Sequence, residues 1–191
     1  MNLIHLFPVT ISIEQNEKHS AIQKQIVENC LSLKNKIRAG GNNWDVSTYN
    51  TISTYNILKD NNFDQVNKWV IDRVKEYAKA LGFDNEIKDM DAWFNIYQKY
   101  DYQETHDHEG NDISAVYYVK CPENSGKLFF LSHEAKGVKD TFREDNPLTW
   151  KKYYFDPEPG RLVIFKSNLM HGVLQNKSDD FKISFAYNFK Y

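Results

Sequence analysis

Phe181-Lys-Ile-Ser-Phe-Ala-Tyr-Asn-Phe-Lys190 alternates large apolar residues with small or polar ones without a break. Phe181, Ile183, Phe185, Tyr187 and Phe189 fall on one face, and Lys182, Ser184, Ala186, Asn188 and Lys190 on the other. A period of two marks a β-strand with one buried face. The aromatic face needs helices or an opposing sheet to cover it. The second face is small and polar in its middle and suits the lining of a wet cavity. Alternation alone leaves Lys182 a plainer reading, as an outward lysine on a half-exposed strand.

Upstream of this strand, short β-rich runs follow one another from about Asp89: Ala92 to Tyr102, Ile113 to Val119, Lys127 to Leu131, Lys152 to Phe155 and Arg161 to Lys166. Turn chemistry such as Pro122-Glu-Asn-Ser-Gly126 and Pro157-Glu-Pro-Gly160 separates several of them. The first half of the chain reads as helical. Ser20 to Gln23 spells a capping box, followed by Ile22, Ile26, Val27, Cys30, Leu33 and Ile37 at helical spacing and a stop at Gly40-Gly41. A second helix starts near Asn62, carries Phe63, Val66, Val70, Val74, Tyr77 and Leu81 on one stripe, and ends at Gly82. Both stripes read as core rather than as a binding groove. Helices first and strands after predict an α+β fold, with helices packed on one side of an antiparallel sandwich or barrel. Trp44 to Leu58 carries no assignable element. Ser132 to Lys151 is long, charged and poorly patterned, and enters the strand region like a lid.

A chain of 191 residues supports one hydrophobic core, so residues 1–191 read as a single domain. Residues 1–88 form a mainly helical support and residues 89–191 a β core. The net charge of -2, with basic residues scattered, gives no electrostatic case for nucleic acid or an anionic membrane. Lys34 to Arg38 reads as the solvated face of a helix. The two cysteines, Cys30 and Cys121, read as reduced thiols rather than a disulfide framework. Neither a signal peptide nor an apolar run of membrane-spanning length is visible, so the expected location is the cytoplasm.

Within the β region, Tyr97-Gln-Lys-Tyr-Asp-Tyr-Gln-Glu-Thr-His-Asp-His108 ends in a His-x-His pair, and Ser167-Asn-Leu-Met-His-Gly-Val173 supplies a third histidine. In an extended strand His106 and His108 point the same way, so both imidazoles can meet one metal ion. Asp107 and Glu109 then point to the opposite face. Asp112 is the outside carboxylate candidate, past a turn at Gly110-Asn111. A set of His106, His108 and His171 is favoured; two-histidine-one-carboxylate facial sites favour Fe(II) oxygenase chemistry, and three-histidine sites also suit catalytic zinc. His5, His19 and His133 read as surface residues.

The order of these parts resembles the Fe(II)- and 2-oxoglutarate-dependent oxygenases of the prolyl-4-hydroxylase-like group, and is similar above all to oxygenases of bacteria and phages. The resemblance runs from Leu6-Phe-Pro-Val9 through Trp93-Phe-Asn-Ile-Tyr97, His106-Asp-His108, Ile113 to Val119, Pro122 to Leu128 and Pro157 to Phe165. It closes with Ser167 to His171, Lys182-Ile-Ser184 and Asn188. It implies a double-stranded β-helix, the jelly roll of cupin-like folds, with the N-terminal helices on one sheet. It also implies Fe(II) as metal, 2-oxoglutarate and O2 as cosubstrates, and hydroxylation of a substrate with release of succinate and CO2. His106 and His171 match the two iron histidines of the family, while His108 stands where the wider superfamily has Asp or Glu. Lys182 matches the basic residue that holds the distal carboxylate of 2-oxoglutarate, with Ser184 beside it. Tyr97 matches a tyrosine that hydrogen-bonds the same carboxylate, and Asn188 joins them as a cofactor-side residue. Tyr117 and Tyr118 read as core, with cavity lining as the second option.

Two other functions remain open at this point. One is a three-histidine metalloenzyme, a dioxygenase or zinc hydrolase, that uses no 2-oxoglutarate. The other is a non-catalytic jelly-roll binding or structural module, of the kind a phage would carry. An exposed sheet edge leaves a homodimer possible, and an Asn-, Lys-, Ile- and Tyr-rich composition suits an AT-rich bacterial or phage genome.

Overall fold

Strand Phe181–Lys190 forms as Lys182–Lys190 (β10) and lies inside a six-stranded antiparallel sheet. The protein is described by a computed structural model covering residue 4 and residues 8–40, 46–83, 86–133 and 149–191. His5 and parts of the Trp44–Leu58 and Ser132–Lys151 stretches lie outside the described residues.

The large sheet contains Ile11–Gln15 (β1), Tyr49–Asn50 (β2), Asp89–Tyr97 (β3), Ile113–Lys120 (β5), Arg161–Lys166 (β8) and β10, in the order β1-β8-β5-β10-β3-β2. Facing it, Gln103–His106 (β4), Leu128–Leu131 (β6), Lys152–Phe155 (β7) and His171–Val173 (β9) make a four-stranded sheet in the order β4-β9-β6-β7. The outer side of the large sheet is covered by His19–Lys34 (α1) and Asp64–Ala80 (α2). The fold is the α+β jelly roll that the sequence implied.

Parity distributes the side chains of β10 as expected. Ile183, Phe185, Tyr187 and Phe189 enter the core beneath the helices with Ile26, Cys30, Phe63, Val66, Val70 and Val74. Phe185 is fully buried and meets Phe63 edge-on at 5.4 Å; burying a ring of that size contributes roughly 1.5–3 kcal/mol. A second, smaller core fills the space between the two sheets, from Tyr97, Tyr118, Leu128, Phe130, Val163, Phe165, Leu169 and Val173. The face of β10 carrying Lys182, Ser184, Ala186 and Asn188 looks into that space.

The structure corrects four local expectations. A strand, β1, precedes the helices and pairs with β8, so the chain does not run helices first. No side chain caps α1. Ser20 lies within the helix, and Gln23 turns away to donate to the Val119 carbonyl at 2.9 Å. The run Ala92–Tyr102 is broken after Tyr97 by a turn in which Tyr100 takes φ 73° and Asp101 accepts from the Gln98 amide at 2.7 Å. Within Trp44–Leu58 the described residues form β2 and the start of a 3-10 turn, Ile57–Lys59. Cys30 and Cys121 are free thiols, buried and half-buried respectively. Among the described residues, no helix is long and apolar enough to cross a membrane.

Candidate metal centre and its cavity

Strand register brings the histidines together. On the small sheet His106 of β4 pairs with His171 of β9, and His171 pairs in turn with Phe130 of β6. His108 arrives from a different direction. β4 ends at His106, and His108 sits in the following loop, its backbone amide held by the Ser167 carbonyl at 2.9 Å. The His-x-His pair thus converges with only its first member inside the strand. One ligand atom from each of His106, His108 and His171 lies within 4.8 Å of the others. The rings of His106 and His171 are 4.4 Å apart, and those of His108 and His171 5.0 Å.

Each imidazole is turned by a bond to its Nδ1. His106 Nδ1 donates to the Glu104 carbonyl at 2.7 Å, and His171 Nδ1 to the Leu169 carbonyl at 2.7 Å. His108 Nδ1 donates to Asn188 Oδ1. A protonated Nδ1 leaves Nε2 as the unprotonated nitrogen, the form a metal requires. Burial lowers the pKa of all three, with His108 drawn down to about 4 and His171 well below the usual imidazole range. Three imidazole nitrogens, from buried His171 and half-buried His106 and His108, with His106 and His108 Nε2 only 3.1 Å apart, form a donor set that fits a first-row divalent ion.

The carboxylates considered in the sequence do not join this set. Asp107 and Glu109 are exposed, both on the cavity lining, and neither belongs to the histidine cluster. Asp112 accepts from the Tyr191 amide at 2.8 Å and anchors the end of the chain instead. Among the described residues the metal-competent cluster consists of the three histidines alone. His133 is exposed, as expected. His19 is not a surface residue. It is buried under α1, with Nδ1 2.7 Å from the Tyr117 hydroxyl and Nε2 3.0 Å from the Val119 carbonyl. Tyr117 is helix-side core, whereas Tyr118 faces the cavity.

From the histidines a cavity of about 280 Å³ runs between the sheets to Lys182. Register sets the neighbours along it: Lys182 opposite Tyr97, Ser184 opposite Asn95 and Tyr118, and Asn188 opposite Ser114. Lys182 is 1% exposed. Its Nζ donates to the Gly126 carbonyl at 3.0 Å and lies 4.3 Å from the centre of the Tyr97 ring. Burial pulls its pKa down to about 7. The Ser184 side chain hydrogen-bonds the Tyr97 phenol, whose pKa burial raises. Among the described residues the buried Tyr118 hydroxyl has no partner and Lys182 has no carboxylate partner. A desolvated amine and a hydroxyl on one cavity lining fit one end of a dicarboxylate. Ser114, Trp93 and Asn95 also line or brace this space and went unread in the sequence. The signal was present: Trp93, Asn95 and Tyr97 alternate with buried Ala92, Phe94 and Ile96 as β10 does.

The family described as "Putative 2OG-Fe(II) oxygenase" matches residues 91–188, slightly more than half of the chain. No curated protein matches the sequence. Among solved structures, a Pseudomonas putida prolyl-4-hydroxylase superposes with a TM-score of 0.65 at 15% identity, over 95% of this chain and 92% of its own. A Trichoplax adhaerens prolyl hydroxylase, solved with a fragment of the hypoxia inducible factor oxygen degradation domain, gives 0.66 at 16% identity, over 94% and 83%. EvdO2 from Micromonospora carbonacea var. aurantiaca, complexed with 2-oxoglutarate, gives 0.58 at 12% identity, over 95% and 86%. At these identities the likeness is one of fold.

Proposed function

This chain belongs to the 2OG-Fe(II) oxygenase family, and from that premise we propose that it is a dioxygenase hydroxylating its substrate with release of succinate and CO2. Family membership brings Fe(II) as cofactor and 2-oxoglutarate and O2 as cosubstrates. Lys182 is the observation that carries the reading: a buried amine with no carboxylate partner among the described residues, on the lining of the cavity that also holds the three histidines.

In this reading His106, His108 and His171 hold the iron through Nε2, each oriented by its Nδ1 bond. Lys182 and Tyr97 receive the distal carboxylate of 2-oxoglutarate, with Ser184 bonded to the phenol behind them. Bound together, Fe(II) and 2-oxoglutarate supply the oxidative decarboxylation that turns O2 into an oxidant for a substrate C–H bond. The protein's own contribution is electrostatic and steric. Lys182 gains a proton at Nζ when an anion enters, because the desolvation that lowers its pKa is then offset by a partner. Tyr118, Leu128 and Val173 wall the cavity and restrict bulk water. Substrate approaches past Asp107 and Glu109, exposed residues of the cavity lining near the histidines. Residues 1–88 act as support for 89–191 within one domain.

A three-histidine hydrolase or a non-catalytic module leaves the burial of Lys182 unexplained, since neither needs an unpaired cation at that depth. The test is spectroscopic. Without oxygen, Fe(II) followed by 2-oxoglutarate should produce a visible metal-to-ligand charge-transfer band. Folded, iron-loaded protein that gives no band would overturn the reading.

A further inference from the structure

His106 and His171 take their orienting bonds from carbonyls two residues earlier in the chain, Glu104 and Leu169. Any residue supplies such a carbonyl, so these two rings are set by local backbone. His108 lies beyond the end of its strand and has no equivalent. Its Nδ1 reaches across to a side chain on the other sheet, Asn188 of β10. Asn188 is itself held, because its Oδ1 also accepts from the Ser114 hydroxyl at 2.8 Å. Ser114 Oγ lies 2.8 Å from Ser167 Oγ, and the Ser167 carbonyl takes the His108 amide. The ring is flanked by Trp93, stacked at 5.9 Å, and by His106 at 5.1 Å. Backbone and ring of His108 are thus fixed by one small web of Ser114, Ser167 and Asn188.

We propose that Asn188 is a positioning residue for the metal centre, selecting the His108 tautomer that presents Nε2, and not a ligand of the cosubstrate. The proposal rests on the three-histidine reading of the iron site. Two observations separate Asn188 from the cosubstrate end. Its Oδ1 already receives two donors, and it stands six residues from Lys182 on an extended strand, about 20 Å at the usual rise. An amide oxygen is also a one-way choice: it accepts and cannot donate, so it holds the Nδ1–H form alone. Partners of this kind change metal affinity by about 10- to 100-fold when removed.

The experiment titrates Co(II), whose visible spectrum reports its coordination, into the full-length wild type and variants checked for folding by circular dichroism. Asn188→Ala should bind Co(II) about 10- to 100-fold more weakly with an altered spectrum. Asn188→Asp, which restores an acceptor, should recover both affinity and spectrum and leave 2-oxoglutarate affinity close to that of the wild type. Asn188→Ser, too short to reach the ring, replaces the alanine variant if that one does not fold. Wild-type Co(II) binding in Asn188→Ala or Asn188→Ser overturns the proposal. So does an Asn188→Asp protein that keeps Co(II) but repels 2-oxoglutarate, since that marks a cosubstrate contact. His106→Ala and His171→Ala serve as controls. If they keep Co(II) the three-histidine reading fails; if they lose it while Asn188→Ala does not, only the role of Asn188 fails.

Discussion

The two faces of β10 obey opposite rules. Beneath the helices, Ile183, Phe185, Tyr187 and Phe189 are sealed from water, and the Tyr187 hydroxyl finds Asn67 Oδ1 at 2.9 Å. Toward the cavity, among the described residues, Lys182 Nζ has one backbone acceptor and the hydroxyl of Tyr118 on the adjoining strand has no partner. One side has its interactions complete within the protein. The other withholds some of them for something that arrives. The comparison teaches that a residue's burial says little about its purpose: Phe185 at 0% exposure and Lys182 at 1% belong to different economies.

The comparison can be broken at either face. Phe185→Ala should have the largest effect, lowering unfolding free energy by about 3–5 kcal/mol, read by urea denaturation, with metal binding retained in the folded fraction. His171→Ala should do the reverse, leaving the unfolding midpoint near wild type while Fe(II) affinity, measured anaerobically, falls by more than about 100-fold. A metal ligand should matter at least as much as the outer partners whose loss costs about 10- to 100-fold. Lys182→Met sharpens the contrast further. Loss of the charged contact should weaken 2-oxoglutarate by about 1.5–3 kcal/mol without touching Fe(II). Fold stability should hold or rise, because a lone desolvated ammonium is removed. A Lys182→Met protein that unfolds more easily would assign the lysine to structure.

The smallest effect is one of pH. The Lys182 pKa in the free protein is about 7, and a bound dicarboxylate raises it. Below 7 the ammonium is already present, and binding takes up no proton there. Above 7 each binding event takes up one, so 2-oxoglutarate affinity should fall by about tenfold per pH unit until the bound-state pKa is reached. Calorimetry in two buffers of different ionisation enthalpy would detect that proton. An affinity flat between pH 7 and 9 would show that Lys182 is charged throughout.

Much of this was legible in the chain, for definite reasons. β10 was readable from its alternation, and β7 and β8 from their apolar density and the Pro157-Glu-Pro-Gly160 turn between them. β9 was not, since three residues, His171–Val173, hold no period. β1 was missed because Ile11-Ser-Ile-Glu-Gln15 is short, half-exposed and defined by its pairing with β8. The three histidines were found from residue type and spacing, although the strand that holds His106 ends before His108. What holds His108 is Asn188, 80 positions away, and no local pattern encodes such a contact. His19 was misread for a related cause. It opens a helix, where a histidine reads as exposed, yet the sheet beneath supplies both of its ring partners.

Lys182 and Asn188 stand on the same face of one uninterrupted strand, with neighbours on both sides across most of its length. That makes β10 a measuring rod. The span between the cation and the amide is set by strand pitch, independent of every loop in the protein, so the loops around the cavity are free to change in length without altering it. A single inserted residue between the two positions would not lengthen the span slightly. It would rotate one end of the rod through to the helix side, so this distance is open to change only in steps of two residues.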